Sequence, residues 1–338
     1  MTSDPNFDEA TRITRLDATT YGANFPARYC IGSVPHGGFI ASCFLRVVQT
    51  HLAGRGQPDT VIAHVEYVSR TEIGPAVFVV DEVKLGQRTS VVHVSLFQHA
   101  LATQAPWITP GQSRREAVAY LTNSALDRET GLSLPTGYVL QPAALPPPPP
   151  PADFARLGRD GVDDHWQRRP IPPGSYRAVM AQTEFYVPKW QLQQPESPPK
   201  HHPSPQQRSI VDMWIRLATG ERFTNTLLGF VADVWPYVVE SYRPQSDDDP
   251  DDAYFDPSQI FWYPTLALNL DVKKALPPDG VEWLFVRIAS KQIRNGRLDL
   301  EVVILDDHHD LVALSHHVSL ILDASRNLSE RSHTKSSM

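Results

Sequence analysis

One order of elements is written twice along this chain, and it constrains the fold more than any other feature. Residues 39–53 carry Phe39, Ile40, Cys43, Phe44, Val47, Val48 and Leu52 at helical spacing. Strand-like runs follow at 61–69, 76–85 and 89–98. In the last of these, Val91, His93, Ser95 and Phe97 alternate with Val92, Val94, Leu96 and Gln98. The order then returns: strands at 176–187 and 210–217, a helical stretch at 227–242, and strands at 265–270, 283–292, 297–305 and 311–322. A long helix followed by an antiparallel meander makes a sheet wrapped around that helix. Two such units predict an α+β chain with two similar halves. Identity between the halves is weak, so the repeat rests on element order and not on a residue period.

The prolines set the boundaries. The chain has 31, and six of them, Pro146 to Pro151, are consecutive, with Pro170, Pro172 and Pro173 soon after. Such a run favours extended polyproline II and cannot enter a helix interior or a central strand. Residues 130–174 are therefore predicted to be a proline-rich linker or surface insertion. It separates an N-terminal half, 1–129, from a C-terminal half, 175–325, and 326–338 reads as a disordered tail. A second polar, proline-bearing stretch, 191–207, reads as an exposed loop. The proline run serves as a spacer or docks a proline-recognition domain.

Composition removes several classes. The formal charge is -7, so no basic excess is present to neutralise a nucleic-acid backbone. Two cysteines, Cys30 and Cys43, cannot build a disulfide framework or a four-cysteine zinc site, and read as buried small apolar residues. The histidine pairs His201-His202 and His308-His309 lack metal-ligand spacing. The acidic run Asp247 to Asp252 lacks the glycine and glutamate of a calcium loop and reads as a solvated loop. No metal or cofactor is expected. The first ten residues are polar, and no window approaches 18 apolar residues, so neither a signal segment nor a membrane span is expected. The ending Lys335-Ser336-Ser337-Met338 is not a peroxisomal signal, and the expected compartment is the cytosol. Neither a G-x-S-x-G elbow nor a dinucleotide-binding glycine loop occurs.

Specific words then agree with the repeated order. Val34-Pro35-His36-Gly37-Gly38-Phe39 resembles the Phe-Gly-Gly turn that opens the first helix of the TesB-like acyl-CoA thioesterases. Tyr67-Val68-Ser69-Arg70 with Gly74 resembles a strand end of that family. Leu85-Gly86-Gln87-Arg88-Thr89-Ser90 resembles its next turn. In the second half, Met213-Trp214-Ile215-Arg216, Phe230-Val231-Ala232-Asp233, Glu282-Trp283-Leu284 and Leu311-Val312-Ala313 resemble its later motifs. The likeness runs from about residue 25 to 322 outside the proline-rich segments. It implies a double hotdog fold: two antiparallel sheets, each around a central helix, fused where other hotdog proteins dimerise. Further self-pairing is an open alternative.

The resemblance also implies a site. The family orients a water on a thioester with an aspartate, a hydroxyl residue and a glutamine. Asp233 stands at the aspartate. The hydroxyl position falls on Ala267, with Thr265 two residues earlier on the same strand face. The glutamine position falls on His317, whose neutral imidazole is able to accept a proton. Asp233 also reads as an N-cap ahead of Pro236. Alternation puts His316 with Leu314, Val318 and Leu320, as a core histidine, and His317 with Ser315 and Ser319 on a more polar face. Gly37 and Gly38 open a helix whose N–H groups suit an oxyanion, with His36 beside them; close packing in a tight turn is the plainer reading of the glycines. Arg70, Arg88, Arg216, Arg287 and Arg294 are candidates for CoA phosphates or for surface ion pairs. The expected substrate is a small-molecule acyl thioester. Hydrolysis by activated water is the first reading. Because two of the three positions depart from the family pattern, two others stand beside it: a lyase or isomerase of specialised metabolism, and a non-catalytic acyl-binding or scaffold module.

Overall fold

The structure, a computed structural model, describes residues 5–144, 152–172, 176–192, 208–243 and 254–328. The proline run, the acidic run, the His201-His202 pair and most of the 191–207 loop lie outside the described residues.

The strands of the first half are β1 (Thr14–Arg15), β2 (Thr20–Phe25), β3 (Cys30–Ile31), β4 (Val34–Pro35), β5 (Asp59–Tyr67), β6 (Gly74–Leu85), β7 (Ser90–Gln98) and β8 (Arg114–Ser124). Those that follow are β9 (Trp166–Arg168), β10 (Thr183–Pro188), β11 (Ile210–Leu217), β12 (Phe261–Trp262), β13 (Thr265–Val272), β14 (Leu284–Ala289), β15 (Ile293–Arg294), β16 (Arg297–Leu305), β17 (Leu311–Leu320) and β18 (Leu322–Asp323). The helices are α1 (Phe7–Ala10), α2 (Gly37–Leu52), α3 (Phe154–Asp160), α4 (Leu228–Ala232) and α5 (Ser325–Leu328).

Fourteen strands form one antiparallel sheet in the order β1-β2-β6-β7-β8-β5-β13-β17-β16-β14-β11-β10-β9, with β15 on β16. About the β5–β13 seam the two halves mirror each other, so the double hotdog expected from the sequence is the fold. The two sheets are continuous across the seam, where Val65 lies opposite Leu268 and Ala63 opposite Leu270. All four of these residues are buried. The seam thus joins two core layers as well as two hydrogen-bond ladders.

The first helix forms where its apolar periodicity puts it, because Phe39, Ile40, Cys43, Phe44, Val47, Val48 and Leu52 all face the sheet and are buried. The second helix is shorter than the expected 227–242 span. Helix α4 stops at Ala232, and a 3-10 turn resumes at Val238. Pro236 has no N–H to donate and disfavours helical backbone at the residue before it. Helices α2 and α4 cross at glycines. A Cβ on Gly38 would meet the Phe230 and Gly229 carbonyl oxygens at 2.9 and 3.0 Å, and one on Gly229 would meet the Ser42 nitrogen at 2.8 Å. Gly38-Phe39-Ile40-Ala41-Ser42 and Gly229-Phe230-Val231-Ala232-Asp233 are counterparts in this crossing, and Ser42 Oγ accepts from Phe230 N–H at 2.9 Å.

The proline-rich stretch does more than span a gap. Strand β9 pairs with β10, and Leu157 and Trp166 join Tyr186, Trp214, Trp283 and Phe285 in a second apolar cluster, with Phe154 packed against it. No helix of the described residues is long and apolar enough to cross a membrane.

Candidate active site

Asp233 ends up where three elements meet. It follows α4 as the C-cap and not as the N-cap that the sequence allowed. A carboxylate is poorly placed at the negative end of its own helix. It is offset by the other helix, since Asp233 Oδ2 accepts from Gly38 N–H at 2.7 Å. The N-cap of α2 is His36, whose side chain makes no capping hydrogen bond. Asp233 therefore caps α2 from the opposite half, satisfying one of its free N–H groups. Gly37 is required for this approach, because a Cβ there would stand 2.7 Å from Asp233 Oδ2.

The other carboxylate oxygen faces the second half. Thr265 Oγ1 donates to Asp233 Oδ1 at 3.1 Å. The strand register slips between Thr265 and Ala267, so Thr265 pairs with Ser319. This bulge brings Thr265 to the carboxylate. Ser319, fully buried, donates to Thr265 Oγ1 at 3.4 Å. His317 Nδ1 lies 3.4 Å from Asp233 Oδ1, and His317 Nε2 lies 2.9 Å from Ser315 Oγ. The Ser315 hydroxyl gives its proton to the Asn269 carbonyl at 2.6 Å, so its oxygen is left to accept. The proton between the two thus belongs to His317 Nε2, and a second proton on Nδ1 is what makes its approach to Asp233 an attraction.

Asp233, His317 and Thr265 are brought together, as are His36, Gly37 and Gly38. Their dispositions differ from the expectation in three ways. His317 is fully buried behind Asp233 and does not line the pocket. The faces of β17 are inverted: His316, expected in the core, is exposed, and the polar face carrying Ser315, His317 and Ser319 is the buried one. Those polar side chains are inside because they bond one another and Asp233. Gly38 N–H is committed to Asp233, so it does not serve as a free oxyanion donor; the Gly37 N–H has no acceptor among the described residues.

A cavity of about 470 Å³ opens above Asp233 and is lined on the reacting side by His36, Gly37, Tyr67, Asp233 and Thr265. Tyr67 is held there by donating its hydroxyl to the Gly37 carbonyl at 2.6 Å. His36 Nε2 lies 3.7 Å from Asp233 Oδ2, and both side chains are 4% exposed. Burial lowers the His36 pKa below the ordinary histidine value, with Asp233 opposing in part. Burial alone would raise the Asp233 carboxyl, but His36, His317 and Thr265 outweigh it and hold it below the ordinary range. The cavity walls beyond are Tyr176, Tyr237, Trp262 and Tyr263 on one side and Ile31, Val34, Leu322 and Arg326 on the other.

Of the candidate arginines, only Arg70 lines this cavity. Arg287 is 4% exposed and forms a bidentate pair with Asp212, both bonds 2.7 Å, so it is not available to a phosphate. Arg216 is tied to Glu184 and stacks on the Trp283 ring. Both cysteines are buried and unpaired. No cluster of metal-ligating side chains occurs among the described residues. The sequence reading missed Tyr67, Ser315 and Ser319 as parts of the site. The alternation of β17 already set Ser315, His317 and Ser319 on one face.

Fold and site together define a fused double hotdog protein with one acidic centre built from both halves. The chain belongs to the acyl-CoA thioesterase family: the family's N-terminal domain matches residues 25–114 and its C-terminal domain residues 144–321. It is 40% identical to the thioesterase-like protein TwmA of Talaromyces wortmannii, over 96% of this chain and 94% of that protein. Among solved structures it is similar to a hot dog fold protein of unknown function from Alicyclobacillus acidocaldarius. That match has a TM-score of 0.65 and 16% identity, over 94% of this chain and 97% of the other. It is also similar to acyl-CoA thioesterase II TesB2 of Mycobacterium marinum, with a TM-score of 0.57 and 16% identity, over 95% and 99%.

Proposed function

We propose that the chain hydrolyses a small-molecule acyl thioester in the cavity above Asp233, with His36 as general base. The observation that carries this reading is the pairing of His36 from one half with Asp233 from the other, Nε2 to Oδ2 3.7 Å, at the cavity wall. At that separation one water oxygen lies within hydrogen-bond reach, about 2.8 Å, of both atoms. The Asp233 anion accepts one proton of that water in a hydrogen bond. His36, kept neutral by burial, accepts the other. The oxygen lone pair is then free to attack the thioester carbonyl carbon.

As the C–O bond forms, the water proton passes to His36 Nε2 and negative charge moves to the carbonyl oxygen. The Gly37 N–H, at the first turn of α2, is the donor for that oxyanion. The C–S bond then breaks, and the thiolate takes the proton from His36. The products are a carboxylic acid and a thiol. Asp233 steadies the transient imidazolium, while Thr265 and His317 fix the carboxylate from behind. Within this reading His317 is a positioning residue, since it does not reach the cavity.

A second reading draws on the same pair. A neutral imidazole facing a carboxylate is equally suited to moving a proton from the carbon next to the thioester, as a lyase or isomerase does. The departures at Ala267 and His317 favour it over a non-catalytic module, because the polar groups they displace are replaced by others bonded to Asp233. The deciding experiment is free-thiol release from a panel of acyl-CoA thioesters beside mass analysis of the acyl product. Hydrolysis predicts thiol and acid in equal amounts, lowered on the order of 10²–10⁴-fold by Asp233→Asn or His36→Gln. An altered acyl group still esterified to its thiol would replace hydrolysis with the second reading.

A further inference from the structure

The hairpin that delivers His36 is held at its far end by the last described turn of the chain. In that hairpin Cys30 pairs with Pro35 and Ile31 with Val34, so Gly32 and Ser33 form the tip and His36 leaves directly from the base. Asn327, on α5, grips the tip. Its Nδ2 donates to the Ile31 carbonyl at 2.9 Å, and its Oδ1 accepts from Ser33 N–H at 3.2 Å. Ser33 Oγ donates in return to the Asn327 carbonyl at 2.9 Å. Arg70 adds bonds to the carbonyls of Arg326 and Asn327, at 3.1 and 3.3 Å. Gly32 is fitted to this grip: its φ is +57°, and a Cβ there would stand 2.0 Å from Asn327 Oδ1.

Asn327 is fully buried although it lies near the end of the chain. A buried side-chain amide that satisfies both a donor and an acceptor of one turn fixes that turn's position, not merely its presence. A plain C-terminal anchor would account for burial. It would not account for the placement of this anchor beside the site. Leu322 and Arg326, on the same segment, line the cavity together with Ile31, Val34 and His36. Strand β18 is tied to β12, next to the Tyr263–Thr265 wall. The segment therefore bridges the hairpin carrying the base and the strand carrying Thr265.

We propose that Asn327 is a positioning residue for His36, and that the C-terminal turn is a latch keeping the imidazole seated over Asp233 and out of bulk water. The proposal rests on the reading of His36 as the base. The groups that face or flank His36 are Asp233 after α4, His317 behind it on β17, the Phe230 ring at 5.6 Å, and Tyr67 on β5, whose hydroxyl bonds Gly37 O. On the latch side the flanking charges are Arg70 and Arg326. Slackening the tip admits water to the ring. Since burial is the main cause that lowers His36, that group then moves up toward the ordinary histidine value.

The test follows the His36 ring by NMR with labelled histidine, assigned with His36→Gln, in the full chain and in Asn327→Ala and Ser33→Ala. Thioester turnover is measured beside it. The proposal expects the His36 titration to move upward in Asn327→Ala and less so in Ser33→Ala. It also expects kcat to fall by on the order of 10–10²-fold with a smaller change in KM, as for a displaced catalytic group. Should Asn327→Ala fail to fold, Ser33→Ala decides by the same readout. Folded variants with an unmoved His36 titration would overturn the latch. The ring titration needs no substrate, so a wild-type chain that cleaves no thioester would sink the hydrolytic reading while the positioning claim was still decided by NMR.

Discussion

Asp233 gathers the contacts of four other residues. Gly38 N–H, Thr265, His317 and His36 surround one carboxylate. If His317 only steadies that carboxylate, His317→Gln keeps activity, because an amide N–H bonds Asp233 as well. His317→Ala should lose about one to two orders of magnitude, the consequence of roughly 1–3 kcal/mol of lost hydrogen-bond support. Equal losses in both, measured as kcat/KM, would make the imidazole itself essential. The pH dependence follows from His36. Its folded pKa lies below the unfolded value of 6.5. Its contribution to stability is therefore present above pH 6.5 and is lost as pH falls toward and through the folded value. Thermal unfolding of the wild type should weaken on acidification below 6.5 more steeply than that of His36→Gln, and activity should fade on the same limb. Parallel melting curves would remove His36 as a buried neutral group. Asp233 and Thr265 were legible in the sequence only through resemblance. Their surroundings are apolar, and no spacing links residues that meet across a sheet bulge. The buried face of β17 was misread because polar residues normally face water, and only their mutual bonding keeps Ser315, His317 and Ser319 inside.

Helices α2 and α4 show what periodicity carries and where it stops. The first was legible because its apolar residues recur at helical spacing beside polar ones. The second was over-extended because residues 227–239, Asp233 apart, are apolar and buried on every side. Such a run has no period to read, and Pro236 alone signals the stop. Strand β8 was missed because its alternation is broken: Arg115 shares a face with Ala117, Ala119 and Leu121, while Val118 and Tyr120 share the face of Arg114, Glu116 and Thr122. The crossing of α2 and α4 depends on glycine. Gly38→Ala would put a Cβ 2.8 Å from Asp233 Cβ and 2.9 Å from a backbone carbonyl oxygen. Overpacking of that kind costs typically about 1–3 kcal/mol, and here it also pushes the carboxylate off its seat. Both stability in denaturant and turnover should fall. A variant of unchanged stability would mean that the helices part without cost.

The molecule as a whole makes one site from two halves. His36, Gly37 and Tyr67 come from the first, and Asp233, Thr265 and His317 from the second, joined through the β5–β13 seam. Either half expressed alone would expose that strand edge and the apolar layer beneath it. Each should be insoluble or poorly folded, with co-expression recovering soluble, active material. Two monomeric, stable halves would contradict a shared core. The repeated order of elements makes this architecture legible in the sequence, because a helix followed by a meander has few ways to bury itself. What it left open was how the linker is used, since the packing of Leu157 and Trp166 on the outer face depends on aromatic partners far along the chain. The central claim, that water is activated between His36 and Asp233 to cleave a thioester, is tested most directly in ¹⁸O-labelled water. The account predicts one heavy oxygen in the carboxyl group of the released acid, with thiol formed in equal amount, and loss of both in Asp233→Asn. A thioester that is consumed without ¹⁸O entering the acyl product and without free thiol would contradict it.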